Sequence, residues 1–351
     1  MVLAERTLIL LVTDFRGLIP QRILAWDGYD LDLLRDGLES AGLDTRVVGA
    51  HELDLALLPR WQHVAAVYAS SQEPRYKQYL QDIMANLHFS GVRLIPGLDV
   101  LMAHEDKVFQ ALRLASAGFN SPRGFAFGNK QQAYEFLQSA QFPLVAKSAD
   151  GFGSKGVCLV RNRREAQRFV DRHMFHRSLN KGRPLCLRIW QRVFPPRPSL
   201  GILLFQELVP GLLGDWKILI WGDTACGLYR KNRSNDFRAS GSGKIAFIDV
   251  PAQVLDFARG VLGTLGMPWG SLDIGYDGTE CHLLEYQGVH FGLTTAERGL
   301  FHYVRGADGV WQKRMGRVQV EKEMANVIVA SLRTCGWLEE QGSTKRERER
   351  Q

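Results

Sequence analysis

Between Phe142 and Val160 the chain reads FPLVAKSADGFGSKGVCLV, two short apolar runs joined by a glycine-rich connection that carries lysine. Pro143 to Ala146 is apolar and runs into Lys147, Ser148 to Gly156 is small and polar, and Val157 to Val160 is apolar again. That is the pattern of two strands and a long turn. Glycine lets a backbone approach an anion with no Cβ in the way, and successive amide N–H groups in such a loop cradle phosphate oxygens. An ordinary hairpin with a generous turn shares the pattern.

The flanks separate three nucleotide motifs. Gly151, Gly153 and Gly156 fit G-x-G-x-x-G, but a dinucleotide fold needs a helix after the last glycine, and a β-branched apolar run follows here. A protein-kinase loop has its phosphate lysine on a later strand, whereas Lys147 comes before the loop. A Walker A loop is absent, since the nearest candidate, Gly241 to Lys244, lacks the first glycine and is followed by Ile245. A lysine on the strand before a glycine-rich hairpin remains.

A chain of 351 residues implies two or three domains or lobes. Hydrophobic residues make up 45% and charged residues 23%, which is ordinary for a globular protein, and no apolar run is long enough to span a bilayer. Thr7 to Val12 reads as a first buried strand and not as a signal peptide. Cys158, Cys186, Cys226, Cys281 and Cys335 are scattered, with no C-x-x-C spacing, so a reduced, cytoplasmic setting is expected. The net charge of +7 suits acidic ligands, nucleotides and nucleic acid alike.

Thr7 to Val12, Thr45 to Val48, Val64 to Tyr68 and Val92 to Ile95 are short apolar runs, and Leu31, Leu34 and Leu38 recur at helical spacing up to Gly42. An α/β layer with a mostly parallel sheet is expected there. Asp14, Arg16, Trp26, Asp27 and Tyr29 follow the first strand, as substrate contacts or as an ordinary polar loop. His104 to Ala117 is predicted as a helix with acids in its first turn and Val108, Leu112 and Ala115 on its core face. Lys107 in that turn is either a second phosphate contact or a solvated lysine. Arg163 to His173 is helical in pattern, and the surrounding basic run to Arg197 has few aromatics for stacking bases, which argues against a nucleic-acid partner.

Further on, LLFQELVPG (203–211), Asp215 to Trp221 and Ala225 to Arg230 are strand-like, and a basic loop follows. Val254 to Leu265 is an amphipathic helix, and Trp269 to Ile274 and His282 to Tyr286 are strands joined through Asp277-Gly278, a strong hairpin signal. Asp273 and Glu285 then lie near one end of that hairpin, with Gln287 on the face of Glu285 by strand period. Oxygen ligands so placed suit Mg²⁺, which takes one or two carboxylates and completes its shell with water and phosphates. Paired acids at a hairpin are also compatible with plain surface residues. Val320 to Leu332 is a closing helix, and Gln341 to Gln351 is a charged tail expected to be disordered.

In this order, the lysine hairpin, the QELV strand, the basic loop and the acidic hairpin resemble the ATP-grasp superfamily, most closely its ribosomal-protein glutamate ligase and glutathione synthetase-like branch, over roughly residues 95–295. The resemblance implies an N-terminal α/β (pre-ATP-grasp) domain at 1–103 followed by a two-lobed α+β ATP-grasp fold. Its first lobe with the flap would be 104–205, its second with the metal site 206–340, and the tail 341–351. By position, Lys107 and Lys147 resemble the phosphate lysines, and Gly151, Gly153, Ser154 and Gly156 the flap. Glu207 and Val209 resemble the hinge that meets adenine, and Asp215 and Lys217 a polar pair beside the nucleotide. Asp273, Glu285 and Gln287 match the metal ligands, with Gln287 where relatives carry Asn, and Arg230 and Arg238 match cations that stabilise the reacting groups. The segment after Gln287, GVHFGLTT, departs from the small-residue and proline run of the ligases.

The implied activity is ATP- and Mg²⁺-dependent (Mn²⁺ as an alternative) ligation of a carboxylate to an amine through an acyl phosphate, with small-molecule or peptide substrates and no membrane partner. A homo-oligomer is compatible with the sequence. Two alternatives stay open: phosphotransfer to a non-carboxylate acceptor, and an ATP-binding regulatory module.

Overall fold

The computed structural model describes residues 7–21, 28–53, 63–71, 73–149, 156–174, 201–234 and 236–338. Four parallel strands form the first sheet: β1 (Leu8–Thr13), β2 (Asp44–Gly49), β3 (Val64–Val67) and β4 (Arg93–Ile95), in the order β2-β1-β3-β4. Their apolar runs are buried on both faces. Leu10, Val12 and Ala66 enter one core, while Ile9, Leu11, Ala65 and Val67 enter the other, as the period of a strand requires. The helix Leu31–Glu39 lays the fully buried Leu34 and Leu38 on the second face, and the Asp30 carboxylate caps it by accepting from the backbone N–H of Asp32 and Leu33. Burying each leucine contributes about 2 kcal/mol. The closing helix Val320–Thr334 packs on the same side through Ala325, Ile328 and Leu332, and Thr7 Oγ1 donates to the Trp337 carbonyl at 3.1 Å.

The second sheet is antiparallel: β5 (Gly124–Phe127), β6 (Leu144–Ser148), β7 (Val157–Val160) and β8 (Leu203–Glu207), ordered β5-β8-β6-β7. The helices Lys130–Ser139 and Arg163–His173 cover one face, where Ala146 and Phe205 meet Ala133, Leu137, Ala166, Phe169 and Val170. The opposite face carries Val145, Lys147, Val157 and Gln206, and these line a cavity.

The third sheet, also antiparallel, has seven strands. They are β9 (Gly214–Trp221), β10 (Thr224–Lys231), β11 (Ile245–Ala246), β12 (Trp269–Tyr276), β13 (Cys281–Gln287), β14 (Phe301–Arg305) and β15 (Trp311–Met315). The order is β13-β12-β9-β10-β14-β15, with β11 on β10. The helix Ala252–Leu265 covers one face with Val254, Leu255, Ala258 and Val261.

The helix expected from His104 begins at Lys107. Glu105 has φ 55°, which is not helical, and Asp106 is the N-cap, its carboxylate accepting from the N–H of Val108 and Phe109, so the acids precede the helix. The inner face is also different. Leu112 is 62% exposed, while Gln110 and Leu114 are buried. Gln110 is satisfied there, donating to the Ala103 carbonyl at 2.8 Å and accepting from the Tyr286 N–H at 3.4 Å.

Candidate active site

The site is built on four adjacent strands. Register sets Asp215 opposite Arg230, Lys217 opposite Asp273, Asp273 opposite Glu285, and Ser271 opposite Gln287. Because side chains two apart share a face, Asp215 with Lys217, Ser271 with Asp273, and Glu285 with Gln287 project together. Arg230, 9% exposed, donates from Nε to Asp215 Oδ1 at 2.6 Å and from Nη2 to Asp215 Oδ2 at 2.9 Å. The same Nη2 lies 2.6 Å from Asp273 Oδ2, so one guanidinium holds two carboxylates. Lys217 Nζ donates to Ser271 Oγ at 2.6 Å and lies 3.9 Å from Asp273 Oδ1.

This face and the second sheet enclose a cavity of about 540 Å³. Lys107 and Lys147 line it from one side, and Asp273, Glu285 and Gln287 from the other. Glu207 and Val209, at the end of β8, form its edge, while Asp215, Lys217, Arg230 and Arg238 complete the wall. Lys107 is the first residue of its helix, and its backbone N–H donates to the Ala149 carbonyl at 3.3 Å, next to the glycine-rich connection. Arg238 is gripped by Asp236, with Nε 2.9 Å from Oδ2, and its Nη1 donates to the Val157 carbonyl at 3.0 Å, tying the basic loop to β7. Gly156 has φ 75°, and a Cβ there would lie 2.3 Å from Ser148 Oγ, so the end of the loop requires glycine. Gly151, Gly153 and Ser154 lie outside the described residues, as do Trp26, Asp27, Cys186 and the basic run from 175 to 200.

Burial pushes the Lys147 ammonium down to about 8, only partly offset by Glu285 and Asp273, and Lys107 adds to the lowering. Among the described residues no ion pair or hydrogen bond engages that ammonium, so a charge-deficient cation faces the cavity. Lys217 is lowered by burial too, against the pull of Asp273. Burial pushes Asp215 up to about 6, with Arg230 opposing it and Asp273 reinforcing it. Burial acts the same way on Asp273, but Arg230 and Lys217 overcome it and hold that carboxyl below the usual range. The two carboxyls share one guanidinium and titrate as a pair.

Among the described residues no three His, Cys, Asp or Glu side chains converge as a closed metal site. Two carboxylates in register stand on the wall of a cavity that also presents lysines, an oxygen-donor set of the kind that fits Mg²⁺ when phosphate oxygens and water complete its shell. Three residues that the sequence reading did not single out belong to the same wall or touch it: Ser271, His104 and Glu105. Strand period signals Ser271, two residues before Asp273. His104 and Glu105 lie in an irregular turn, where no periodicity points inward.

No family model matches the chain. N5-carboxyaminoimidazole ribonucleotide synthases of Mycobacterium bovis and Mycobacterium tuberculosis are 29% identical to it over 125 residues, which is 35% of this chain and only 28% of those curated relatives. Among solved structures, D-cycloserine synthetase DcsG superposes with a TM-score of 0.55 at 16% identity, covering 93% of this chain and 99% of that one. A RimK-domain ATP-grasp protein of Sphaerobacter thermophilus gives 0.52 at 14% identity, covering 92% and 98%. The ATP-grasp ligase PsnB, in complex with a minimal precursor, Mg and ADP, gives 0.52 at 13% identity, covering 94% and 98%. Over nearly its whole length, the chain has the ATP-grasp fold.

Proposed function

We propose that the chain is an ATP- and Mg²⁺-dependent carboxylate-amine ligase. In this reading 1–103 is an N-terminal domain, 104–205 and 206–340 are the lobes that clasp the nucleotide, and 341–351 is a tail. The observation that carries it is Lys147, a partly buried ammonium engaged by no described ion pair, set across one cavity from the register pair Asp273 and Glu285. A buried cation without an acceptor is costly, and an anionic ligand removes that cost.

Lys147 and Lys107 neutralise the phosphates. Glu207 and Val209 border the space for the base. Asp273 and Glu285 would hold Mg²⁺, which when bound supplies charge neutralisation on the phosphates. A carboxylate oxygen of the substrate attacks the γ-phosphorus, the bond to ADP breaks, and an acyl phosphate forms. The amine then attacks the acyl carbon, loses a proton and expels phosphate. No protein nucleophile is needed, since positioning and electrostatics carry phosphoryl transfer. Arg230, fixed by Asp215, keeps Asp273 ionised and, with Arg238, places positive charge beside the reacting groups.

The substrates are small molecules or peptides, and we place the protein in the cytoplasm. The described cysteines are free, and among the described residues no helix is long and apolar enough to cross a membrane. The test is turnover of ATP with Mg²⁺ against pooled amino acids, small acids and short peptides, with products read by mass. A species formed from an acid and an amine with loss of one water, matched by ADP, supports the ligase. ADP with a phosphorylated, unligated acceptor points to a phosphotransferase, and nucleotide binding without ADP points to a regulatory module.

A further inference from the structure

Gln287 occupies the place of a metal ligand, yet its amide is already committed. Its Oε1 lies 2.9 Å from His104 Nδ1, and its Nε2 lies 3.2 Å from Glu285 Oε1. The polarity of this chain follows from its end. A carboxylate has only acceptors, so Gln287 must turn its NH₂ to Glu285, and its oxygen then points at His104. His104 Nδ1 must therefore carry the proton. His104 is 2% exposed, and its Nε2 finds no hydrogen-bond partner among the described residues. The opposite tautomer would bury an unpaired N–H and set two acceptors against each other at 2.9 Å.

The histidine is itself held in place. Its carbonyl accepts from Lys77 Nζ at 2.7 Å, its N–H donates to the Leu101 carbonyl at 3.1 Å, and its ring stacks on His290 with centroids 6.1 Å apart. It also lies three residues before Lys107, in the turn that leads into the lysine's helix. The chain His104–Gln287–Glu285 thus links the lysine side of the cavity to the acidic hairpin.

We propose that Gln287 is a positioning residue and not a metal ligand: His104 orients its amide, which holds one oxygen of Glu285 and aims the other at the cation site. This rests on the reading of the cavity as a nucleotide and metal site. Divalent cation would then be held by Asp273 and Glu285, with phosphates and water completing the shell.

The test combines Mn²⁺ binding, followed by the paramagnetic signal of free Mn²⁺ with a non-hydrolysable ATP analogue present, with ¹⁵N shifts of the imidazoles in the wild-type protein. His104→Phe and Gln287→Leu should each weaken Mn²⁺ binding by about 10-fold or more. The number of ions bound should not change, and the double variant should be no worse than the weaker single. The ¹⁵N spectrum should show His104 protonated at Nδ1, with and without Mg²⁺ and the analogue. Loss of one bound Mn²⁺ in Gln287→Leu while His104→Phe binds like wild type would make Gln287 a ligand and overturn the proposal. An Nε2–H tautomer would overturn it without any variant, even if a substitution disturbs folding. If the wild type takes up no Mn²⁺ with the analogue, the nucleotide and metal reading itself fails, and this role with it.

Discussion

Replacing Lys147 with methionine separates the two things this residue does, because its effects on stability and on binding have opposite signs. Methionine keeps an unbranched apolar side chain of similar length and lacks the ammonium. Burial moves the folded-state lysine from 10.5 to about 8, so at pH 7 folding works against the charged form by about 3 kcal/mol. Solvent reaching the half-buried side chain reduces this, and Lys147→Met should stabilise the protein by about 1–2 kcal/mol, a rise in Tm of roughly a few degrees. The sign with pH follows. Between about 8 and 10.5 the unfolded chain binds more protons at this site than the folded one, so wild-type stability rises across that window and the advantage of methionine fades. Nucleotide affinity should move the other way. A charge-assisted hydrogen bond to phosphate contributes about 1.5–3 kcal/mol, so Kd for ATP should rise roughly 10- to 150-fold. Urea unfolding from pH 7 to 10.5 and calorimetric titration with an ATP analogue measure both. Affinity within twofold of wild type, or a variant less stable than wild type at pH 7, would refute the assignment of Lys147 as a charge held ready for phosphate.

Arg230→Lys keeps the charge but cannot hold Asp215 and Asp273 together, and should cost about 2 kcal/mol in chemical unfolding and lower turnover more than substrate affinity. Burial lowers His104 to about 3, so the unfolded chain binds the extra proton between 3 and 6.5, and stability is lost as pH falls through that window; the loss reaches about 4 kcal/mol, and unfolding of His104→Phe should lack this component. Gly156→Ala meets both a positive φ and Ser148 Oγ, and should cost about 1–3 kcal/mol and raise KM for ATP.

The layers of the fold were legible because β1 and β3 are continuous apolar runs, as strands covered on both faces require, and the helix Leu31–Glu39 sets Leu34 and Leu38 four residues apart on its inner face. The acidic hairpin was legible for a different reason. Asp277-Gly278 fixes the turn and brings Asp273 and Glu285 to one end of the hairpin, but their pairing takes a register shift between Asp273 and Ile274, without which counting from the turn would set Asp273 opposite Leu284. The β14–β15 hairpin was not, since β15 reads Trp-Gln-Lys-Arg-Met and is largely exposed, which leaves no apolar stripe to find. The inner face of the helix Lys107–Ala117 was misassigned because a buried glutamine, satisfied by two backbone groups, looks polar in sequence while exposed Leu112 looks like core. The grip of Arg230 on Asp215 and Asp273 needs the pairing of β9 with both neighbours, and the contact of His104 with Gln287 spans the two sides of the cavity. Neither is written in local spacing.

Activation of a carboxylate can be measured without knowing the amine. Hydroxylamine, supplied with ATP, Mg²⁺ and a pool of carboxylic acids and short peptides, converts an acyl phosphate to a hydroxamate that mass analysis identifies. A hydroxamate should form in step with ADP and be lost in Lys147→Met. ADP without any hydroxamate, or hydroxamate formation at the wild-type rate in Lys147→Met, would contradict this reading of the site.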